Sequence, residues 1–131
     1  PLETLRAINE ALLQRPLGGL SAAMRRRVLA HVEAHLHDSK AVSLPALARQ
    51  ACLSEFHFAR MFRQSMGCTV HEWVLQQRLA RARRALSARN VPPLAELALD
   101  CGFSSASHLV RSFRAHLGVT PTQFSIFQRN A

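Results

Sequence analysis

The sequence predicts an all-α protein, and three observations lead to that prediction. Apolar residues recur at intervals of three and four along almost the whole chain, which is the periodicity of an amphipathic helix. Strand signals are nearly absent, because the chain has no tyrosine and no sustained alternation of polar and apolar residues. Helix start and stop signals divide the 131 residues into seven or eight helices.

Residues 21–89 are predicted to form the first of two subdomains, because three helix starts follow one another closely. Each start has a serine whose side chain can accept a hydrogen bond from a free N–H of the first turn. The three serines are Ser21, Ser43 and Ser54. We expect the third helix to end at Gly67, since glycine readily adopts the left-handed conformation that closes a helix.

A long helix is predicted to link this subdomain to the next. Thr69 and Glu72 have the spacing of a capping box, in which each side chain accepts a hydrogen bond from a free backbone N–H of the first turn. From there the helical apolar pattern continues to about Arg89, with arginines on the faces that remain.

Residues 90–131 are predicted to form the second subdomain. Two prolines at positions 92 and 93 restart the chain for a short helix that ends at Cys101. Ser104 is predicted to cap the next helix, which ends at Gly118. A second capping box, with proline at the first helical position, follows at residues 120–123.

The two subdomains repeat each other in sequence. With a shift of 50 residues, residues 47–48 coincide with residues 97–98, and with a shift of 51, residues 62–63 match residues 113–114. One residue has therefore been inserted near Ser105. A tandem match of this quality indicates two copies of one structural unit.

Each copy has the pattern of a helix-turn-helix motif. Two short helices that cross steeply need a small residue where they touch, a small or flexible residue at the turn, and an apolar residue after it to fill the angle. In the two copies these are Ala48 and Ala98, Cys52 and Gly102, and Leu53 and Phe103. The second helix of each copy, at about residues 54–66 and 104–117, is then a recognition helix that can enter a major groove.

The length of the linking helix suits binding to two neighbouring grooves. A helix of about 18 residues is about 27 Å long, and successive major grooves on one side of B-DNA recur at ~34–36 Å. We therefore expect both recognition helices to insert into adjacent major grooves of one duplex, with the chain acting as a monomer.

The charge of the chain predicts a polyanionic partner. Its 17 basic residues, of which Lys40 is the only lysine, exceed the 8 acidic residues and leave a formal charge of +9. Arginine also grips phosphate or guanine with two parallel hydrogen bonds. Charge alone leaves double-stranded DNA and an anionic membrane open, but no apolar run is long enough for a membrane span.

Other function classes find no support in the sequence. Three cysteines without a CxxC pair argue against a disulfide framework and favour a reducing cytoplasm. His31, His35 and His37 lack a carboxylate or cysteine to complete a metal site, so we interpret them as solvated. No nucleophile, base and orienting group occur together, and we expect neither enzymatic activity nor a metal or cofactor.

The motif residues of both copies follow the pattern of one family. In the first copy and the linking helix they are residues 47–63, Gly67, Thr69, Gln77, Leu79 and Ala82. The second copy contributes Ala98-x-x-Cys101-Gly102-Phe103-Ser104-Ser105-x-Ser107-His108-Leu109-x-Arg111-x-Phe113-Arg114, continued by Gly118-Val119-Thr120-Pro121. From residue 44 to about residue 124 the chain resembles the DNA-binding domain of AraC/XylS-type transcription regulators. Those proteins usually have Tyr-Arg where this chain has Phe124-Ser125, and the serine removes a basic residue there.

The resemblance and the helical spacing together indicate the side chains that contact DNA. Base contacts are expected from Phe56, Ala59 and Arg60 in the first copy and from Ala106, Ser107, Val110 and Arg111 in the second. Phosphate contacts are expected from Arg63, Arg78, Arg83, Arg84 and Arg114. Arg60 is the strongest candidate, because arginine paired with guanine is the commonest specific contact, and a phosphate-bound or solvated arginine is the alternative. We expect the second copy to read sequence more weakly.

The resemblance also implies the cellular setting. It indicates a bacterial transcription activator that is cytoplasmic and nucleoid-associated and that binds double-stranded DNA and RNA polymerase. Full-length members usually carry a separate domain that binds a small-molecule effector or dimerises, and residues 1–20, with an amphipathic helix over residues 2–13, are expected to be a linker from such a domain. A stand-alone member is the alternative. A module that docks only on proteins is a second function class, and DNA repair through an acceptor cysteine is a third, for which the sequence offers no suitable setting.

Overall fold

A computed structural model of the chain describes Glu3 and residues 19–130. Residues 19–130 form seven helices and no strand, so the predicted all-α class is confirmed. The helices are α1 (Ala22–His35), α2 (Leu44–Gln50), α3 (Glu55–Met66), α4 (Val70–Leu86), α5 (Leu94–Cys101), α6 (Ala106–Leu117) and α7 (Pro121–Arg129). Apart from Glu3, the helix predicted over residues 2–13 lies outside the described residues. None of the helices in the described part of the chain is both long and apolar enough to cross a membrane.

The predicted serine caps of the first subdomain are confirmed. The side-chain oxygens of Ser21, Ser43 and Ser54 each accept a hydrogen bond from a backbone N–H in the first turn of α1, α2 and α3. The N-terminal N–H groups of a helix have no partner inside the helix, so each of these bonds stabilises a helix start by about 1 kcal/mol. Local sequence therefore fixes where these helices begin.

Both capping boxes are also confirmed, and α4 ends earlier than predicted. Thr69 and Glu72 exchange hydrogen bonds of 3.1 and 3.2 Å at the start of α4, and residues 120–123 do the same for α7. At its other end α4 stops at Leu86 instead of near Arg89. At this C-cap the carbonyl of Arg83 accepts both the Ser87 N–H, at 3.0 Å, and the Ser87 hydroxyl, at 2.8 Å.

The start of α6 corrects the sequence prediction. Ser105, and not Ser104, is the N-cap, and its Oγ accepts the N–H of His108 at 3.1 Å. Helices α3 and α6 each have 12 residues and correspond through a shift of 51 at both ends, so Ser104 is the inserted residue. The prediction was wrong because the turn preceding the helix matches the first copy with a shift of 50.

The two helix-turn-helix turns have the same backbone geometry. Cys52 and Gly102 both have positive φ angles, 57° and 94°, as the left-handed end of a helix requires. The N–H of the next residue, Leu53 or Phe103, donates to the carbonyl of the predicted contact alanine, at 3.0 and 2.8 Å. The alanines are 2% and 0% exposed, which lets the crossing helices approach closely. The predicted roles of these turn residues are confirmed.

Two apolar cores share a single helix. The first core takes Val70, Trp73 and Val74 from the beginning of α4 and packs them against α1, α2 and α3. The second takes Leu79, Ala82 and Leu86 from the end of the same helix and packs them against α5, α6 and α7. Helix α4 is therefore a structural part of both subdomains and carries one into the other without a break.

The corrected cap predicts unequal effects of two neighbouring serines. Replacing Ser105 by alanine removes the cap of α6, and we expect a loss of about 1 kcal/mol in the free energy of unfolding. Replacing Ser104, the exposed inserted residue, should change it by less than ~0.5 kcal/mol. Urea denaturation followed by circular dichroism measures both. A larger loss of unfolding free energy for Ser104→Ala than for Ser105→Ala would identify Ser104 as the cap instead.

Candidate nucleic-acid interface

The first recognition helix presents a continuous outer face. Helix α3 buries Phe58 and Phe62, which are 0% and 1% exposed, on one side. The helical period then turns Phe56 and Arg60 outward, and Phe56 is 80% exposed although it is a large apolar residue. An aromatic ring held in water at the start of a helix contributes nothing to the core, so it is available to a partner.

A cleft of about 750 Å³ lies along this outer face. It brings together five of the predicted contact residues, Phe56, Ala59, Arg60, Arg63 and Arg78. Its walls come from the beginning of α2 and the beginning of α4, and its lining includes apolar side chains of both. The first turn of α4 adds the positive end of a helix dipole, so the cleft favours an anionic ligand that also has apolar surface.

The second recognition helix has the same register as α3, but its outer face lacks the exposed phenylalanine of α3. Helix α6 buries Leu109 and Phe113 completely. Through the shift of 51, Arg111 stands where α3 has Arg60, and Ser107 stands where α3 has the exposed phenylalanine. The predicted residues Ala106 and Val110 are half-buried, and Arg111 and Arg114 are exposed. The two surfaces therefore share their arginines and differ in their apolar groups.

The predicted phosphate-contacting arginines fall into different environments. Arg63 lines the large cleft and is exposed, and Arg83 and Arg84 are exposed farther along α4. Arg84 lines a second cleft, of about 630 Å³, between α4 and α1. The structure therefore groups Arg63 with the α3 surface and does not bring Arg84 into the same cleft.

Arg78 is held within the protein more tightly than those arginines. Its Nε is buried without a hydrogen-bond partner, and its Nη2 donates to the Ser39 hydroxyl at 3.3 Å. Burial lowers the pKa of the guanidinium, because removal from water disfavours its charged form. The side chain lies over Gly102, where a Cβ would be 2.6 Å from Nε. Arg78 thus spans from the α3 cleft to the second helix-turn-helix turn.

Arg81 is a residue of this region that the sequence did not single out. Its Nη2 donates to the carbonyl of Glu33 at 2.7 Å, and its Nη1 donates to the carbonyl of Asp100 at 3.3 Å. Those two carbonyls belong to different subdomains. The i, i+3 spacing from Arg78 indicates a shared side of α4, but only the folded chain shows what lies opposite it.

Packing and hydrogen bonding account for His31 and Cys101, whereas Cys52 is exposed and Cys68 is half-buried. The interpretation of His31 as solvated was wrong: it is half-buried, its Nε2 lies 2.8 Å from the carbonyl of Ala41, and its ring stacks on the exposed His35 at 4.3 Å between centroids. Cys101 is buried at the α5 turn, and burial raises the pKa of its thiol to about 11, so it stays protonated near neutral pH. Within residues 19–130 no group of three metal-ligating side chains is assembled.

The departure at Phe124-Ser125 affects the interior of the second subdomain. Phe124 packs edge-on against Phe113 with ring centroids 5.5 Å apart. Ser125 is 6% exposed, and its Oγ is buried without a hydrogen-bond partner. Position 125 therefore faces the inside of the fold in this chain.

A helix-turn-helix domain model matches residues 47–125. The probable transcriptional regulator LumQ of Photobacterium leiognathi is 36% identical over 99 residues, which are 76% of this chain and 39% of LumQ. The probable transcription factor PqrA of Proteus vulgaris is 31% identical over 97 residues, 74% of this chain and 79% of PqrA. The chain thus spans well under half of one relative and most of another.

Solved structures agree with this match. The DNA-binding domain of AdpA, a global transcriptional factor solved in complex with a target DNA, is 31% identical with a TM-score of 0.74, covering 84% of this chain and 96% of that one. An AraC-type transcriptional regulator from Chromobacterium violaceum is 25% identical with a TM-score of 0.73, covering 81% and 92%.

The junction beside Arg78 predicts that one glycine is far less replaceable than another. At Gly67 (φ 76°) an added Cβ meets nothing within 4 Å, so Gly67→Ala should cost only the left-handed backbone strain, about 1–2 kcal/mol. At Gly102 (φ 94°) the Cβ would also fall on the carbonyl of Leu36 and on Arg78. We expect Gly102→Ala to cost about 2–5 kcal/mol in unfolding free energy, because overpacking adds to the strain.

Chemical denaturation of both glycine variants measures this difference under identical conditions. Gly118→Ala is a further control, since its φ of 77° and open surroundings match those of Gly67. Equal losses at all three positions would contradict the tight approach of the two subdomains at Gly102.

Proposed function

The chain belongs to the AraC/XylS-type family of helix-turn-helix transcription regulators, which bind DNA sequence-specifically, and on that premise we propose how it engages its site. In this proposal α3 and α6 insert into adjacent major grooves of one duplex, and the chain binds as a monomer. Phosphate contacts set the register, and base contacts select the sequence.

The observation that carries the proposal is the equal register of α3 and α6. Each has 12 residues, a buried face and an outer face with arginine at the same two positions. Helix α4, with 17 residues, is about 26 Å long at 1.5 Å per residue. That length supports two reading helices held on one side of a duplex whose major grooves recur at ~34–36 Å.

The α3 surface is proposed as the main reader of sequence. Arg60 is exposed and can form the bidentate contact with guanine O6 and N7. Phe56 and Ala59 offer apolar surface to thymine methyl groups, and the 80% exposure of Phe56 supports that role. Arg111 and Ser107 provide the polar contacts of α6, with Ala106 and Val110 limited to apolar contact.

Phosphate contacts are proposed for the arginines beside these helices. Arg63, Arg83, Arg84 and Arg114 are exposed, which leaves their guanidinium groups free to follow the DNA backbone. For Arg78 the same role is proposed in a more restricted form. Its Nε is buried and cannot meet a phosphate, although the residue lines the cleft.

For the protein as a whole we propose the remaining partners predicted from the sequence. They are RNA polymerase, contacted as an activator in the cytoplasm, and a small-molecule effector or a second copy, bound through a domain outside this chain. Only 39% of the length of LumQ matches this chain, and this supports a full-length protein with additional domains. The same comparisons describe transcription regulators, which supports a role without catalysis.

Selection of binding sites from random duplexes tests the two-groove proposal. We expect two conserved blocks separated by about one helical turn, ~10 base pairs from centre to centre. The block read by α3 should show the larger penalties on base substitution. Affinity should fall steeply with salt, with a logarithmic slope of ~0.9 per neutralised phosphate, while the two blocks persist. A single conserved block would contradict insertion of both helices, and equal penalties would contradict the weaker role of α6.

Two arginine variants distinguish base reading from phosphate binding. Arg60→Ala should cost ~1–3 kcal/mol on the selected site and relax the preference at one base position, because a bidentate contact is lost. Arg83→Ala is the matched control: it should weaken binding to all sequences alike and reduce the salt slope by ~1. Fluorescence anisotropy on a panel of single-base variants measures both. Uniform weakening by Arg60→Ala would make Arg60 a phosphate contact.

A further inference from the structure

We propose that Arg81 is a positioning residue that holds the two subdomains at one relative orientation and thereby sets the spacing between the two DNA blocks. The inference rests on the proposed two-groove function and adds to it a residue that touches no base. Arg81 is half-buried on α4, close to where the helix passes from the first core to the second.

The two carbonyls that Arg81 binds are helix ends in need of a donor. Glu33 lies in the last turn of α1, which ends at His35, and Asp100 lies in the last turn of α5, which ends at Cys101. The last four carbonyls of a helix have no N–H partner within it, and they carry the negative end of the helix dipole. A single guanidinium therefore satisfies one free carbonyl in each subdomain.

The shape of the guanidinium is essential to this contact. Its two Nη groups point in fixed directions in one plane, and they reach Glu33 at 2.7 Å and Asp100 at 3.3 Å at the same time. Hydrogen bonds from a charged donor are roughly twice as strong as neutral ones. Rotation of one subdomain about α4 would break at least one of the two.

The surroundings make this contact important for orientation. The two apolar cores have no buried residue in common, so outside α4 the subdomains are not joined by a shared core. A second contact between the subdomains lies near that of Arg81. The carbonyl of Leu36, just after α1, lies against Gly102, just after α5, beneath Arg78. The ends of α1 and α5 thus meet at a polar junction with Arg78 and Arg81 on it.

Orientation then determines affinity for a two-block site. Only molecules with both recognition helices at the correct separation can bind both grooves. The apparent dissociation constant for a two-block site therefore rises as the fraction of such molecules falls. Binding to one block needs no fixed separation. Loss of the Arg81 contact should therefore weaken two-block binding selectively and make the protein less sensitive to spacing.

The experiment compares Arg81→Ala, Arg81→Lys and wild type on three duplexes. One carries the selected two-block site, one has a base pair inserted between the blocks, and one keeps only the α3 block. An inserted base pair turns the second block by about 35° and moves it by about 3.4 Å. We expect Arg81→Ala to bind the selected site about 5- to 20-fold more weakly, with single-block affinity within about twofold of wild type.

Spacing sensitivity is the readout that a purely structural role would not change. The ratio of affinities for the selected and the lengthened site should fall several-fold in Arg81→Ala. Arg81→Lys keeps the charge but replaces the planar fork with a single ammonium, so an intermediate ratio is expected. Arg89→Ala is the charge-matched control. Arg89 is exposed in the loop after α4, and its loss should lower all three affinities to the same small extent.

A measurement without DNA separates this inference from the proposed function. Residual dipolar couplings of the full chain should fit one alignment tensor for both subdomains in wild type and two tensors in Arg81→Ala. If wild type selects no two-block site, the two-groove proposal fails while this result still stands. If Arg81→Ala keeps one tensor and the wild-type spacing preference, or loses single-block binding equally, the positioning role is overturned.

Discussion

The constraint on which the structure depends is that one helix serves two apolar cores. Trp73 near the start of α4 completes the first core, and Leu86 at its end completes the second. Because α4 is a continuous helix, the distance between the subdomains is fixed by its rise per residue. Core packing on both parts of α4 also limits rotation of each subdomain about the helix, and the contacts of Arg81 and of Gly102 with the end of α1 restrict it further. The helix therefore sets the separation, and the junction at the end of α1 helps to set the rotation.

Most of the fold could be predicted from sequence because its determinants are local. Caps such as Ser54 and the capping box at Thr69 act within one turn, and the left-handed turns need only a residue such as Gly102. Ser104 was wrongly predicted as a cap because the shift between the two copies changes from 50 to 51 within one turn. The inserted Ser104 contacts His108, four residues later, through both its N–H and its hydroxyl. The two carbonyls that accept hydrogen bonds from Arg81, those of Glu33 and Asp100, are distant from it in sequence, so no spacing rule indicates them.

The site could be predicted in part for the same reason. Helical period alone separates the buried Phe58 from the outward Arg60, and the structure gathers the first set of predicted residues into one cleft. The environment of Arg78 could not be inferred, because its burial comes from a turn in the other subdomain. The two copies also differ in the turn before the recognition helix, where the added Ser104 and the ring contact of His108 with Phe103 occur only in the second. The repeat therefore conserves the scaffold more closely than the reading surface.

The shared helix α4 also bears on how this protein unfolds and diverges. If either core melts, the apolar face of α4 that it covered becomes exposed, so the two halves lose stability together as neighbouring units of a repeat protein do. A core substitution such as one at Phe113 would thus lower the population of the other half as well. Outer positions such as Phe56 carry no such burden, since they cover no core. Substitutions on the outer surface of one helix can therefore change its contacts without affecting either core. Substitutions in a core, by contrast, affect the stability of both subdomains, so they are more restricted in evolution.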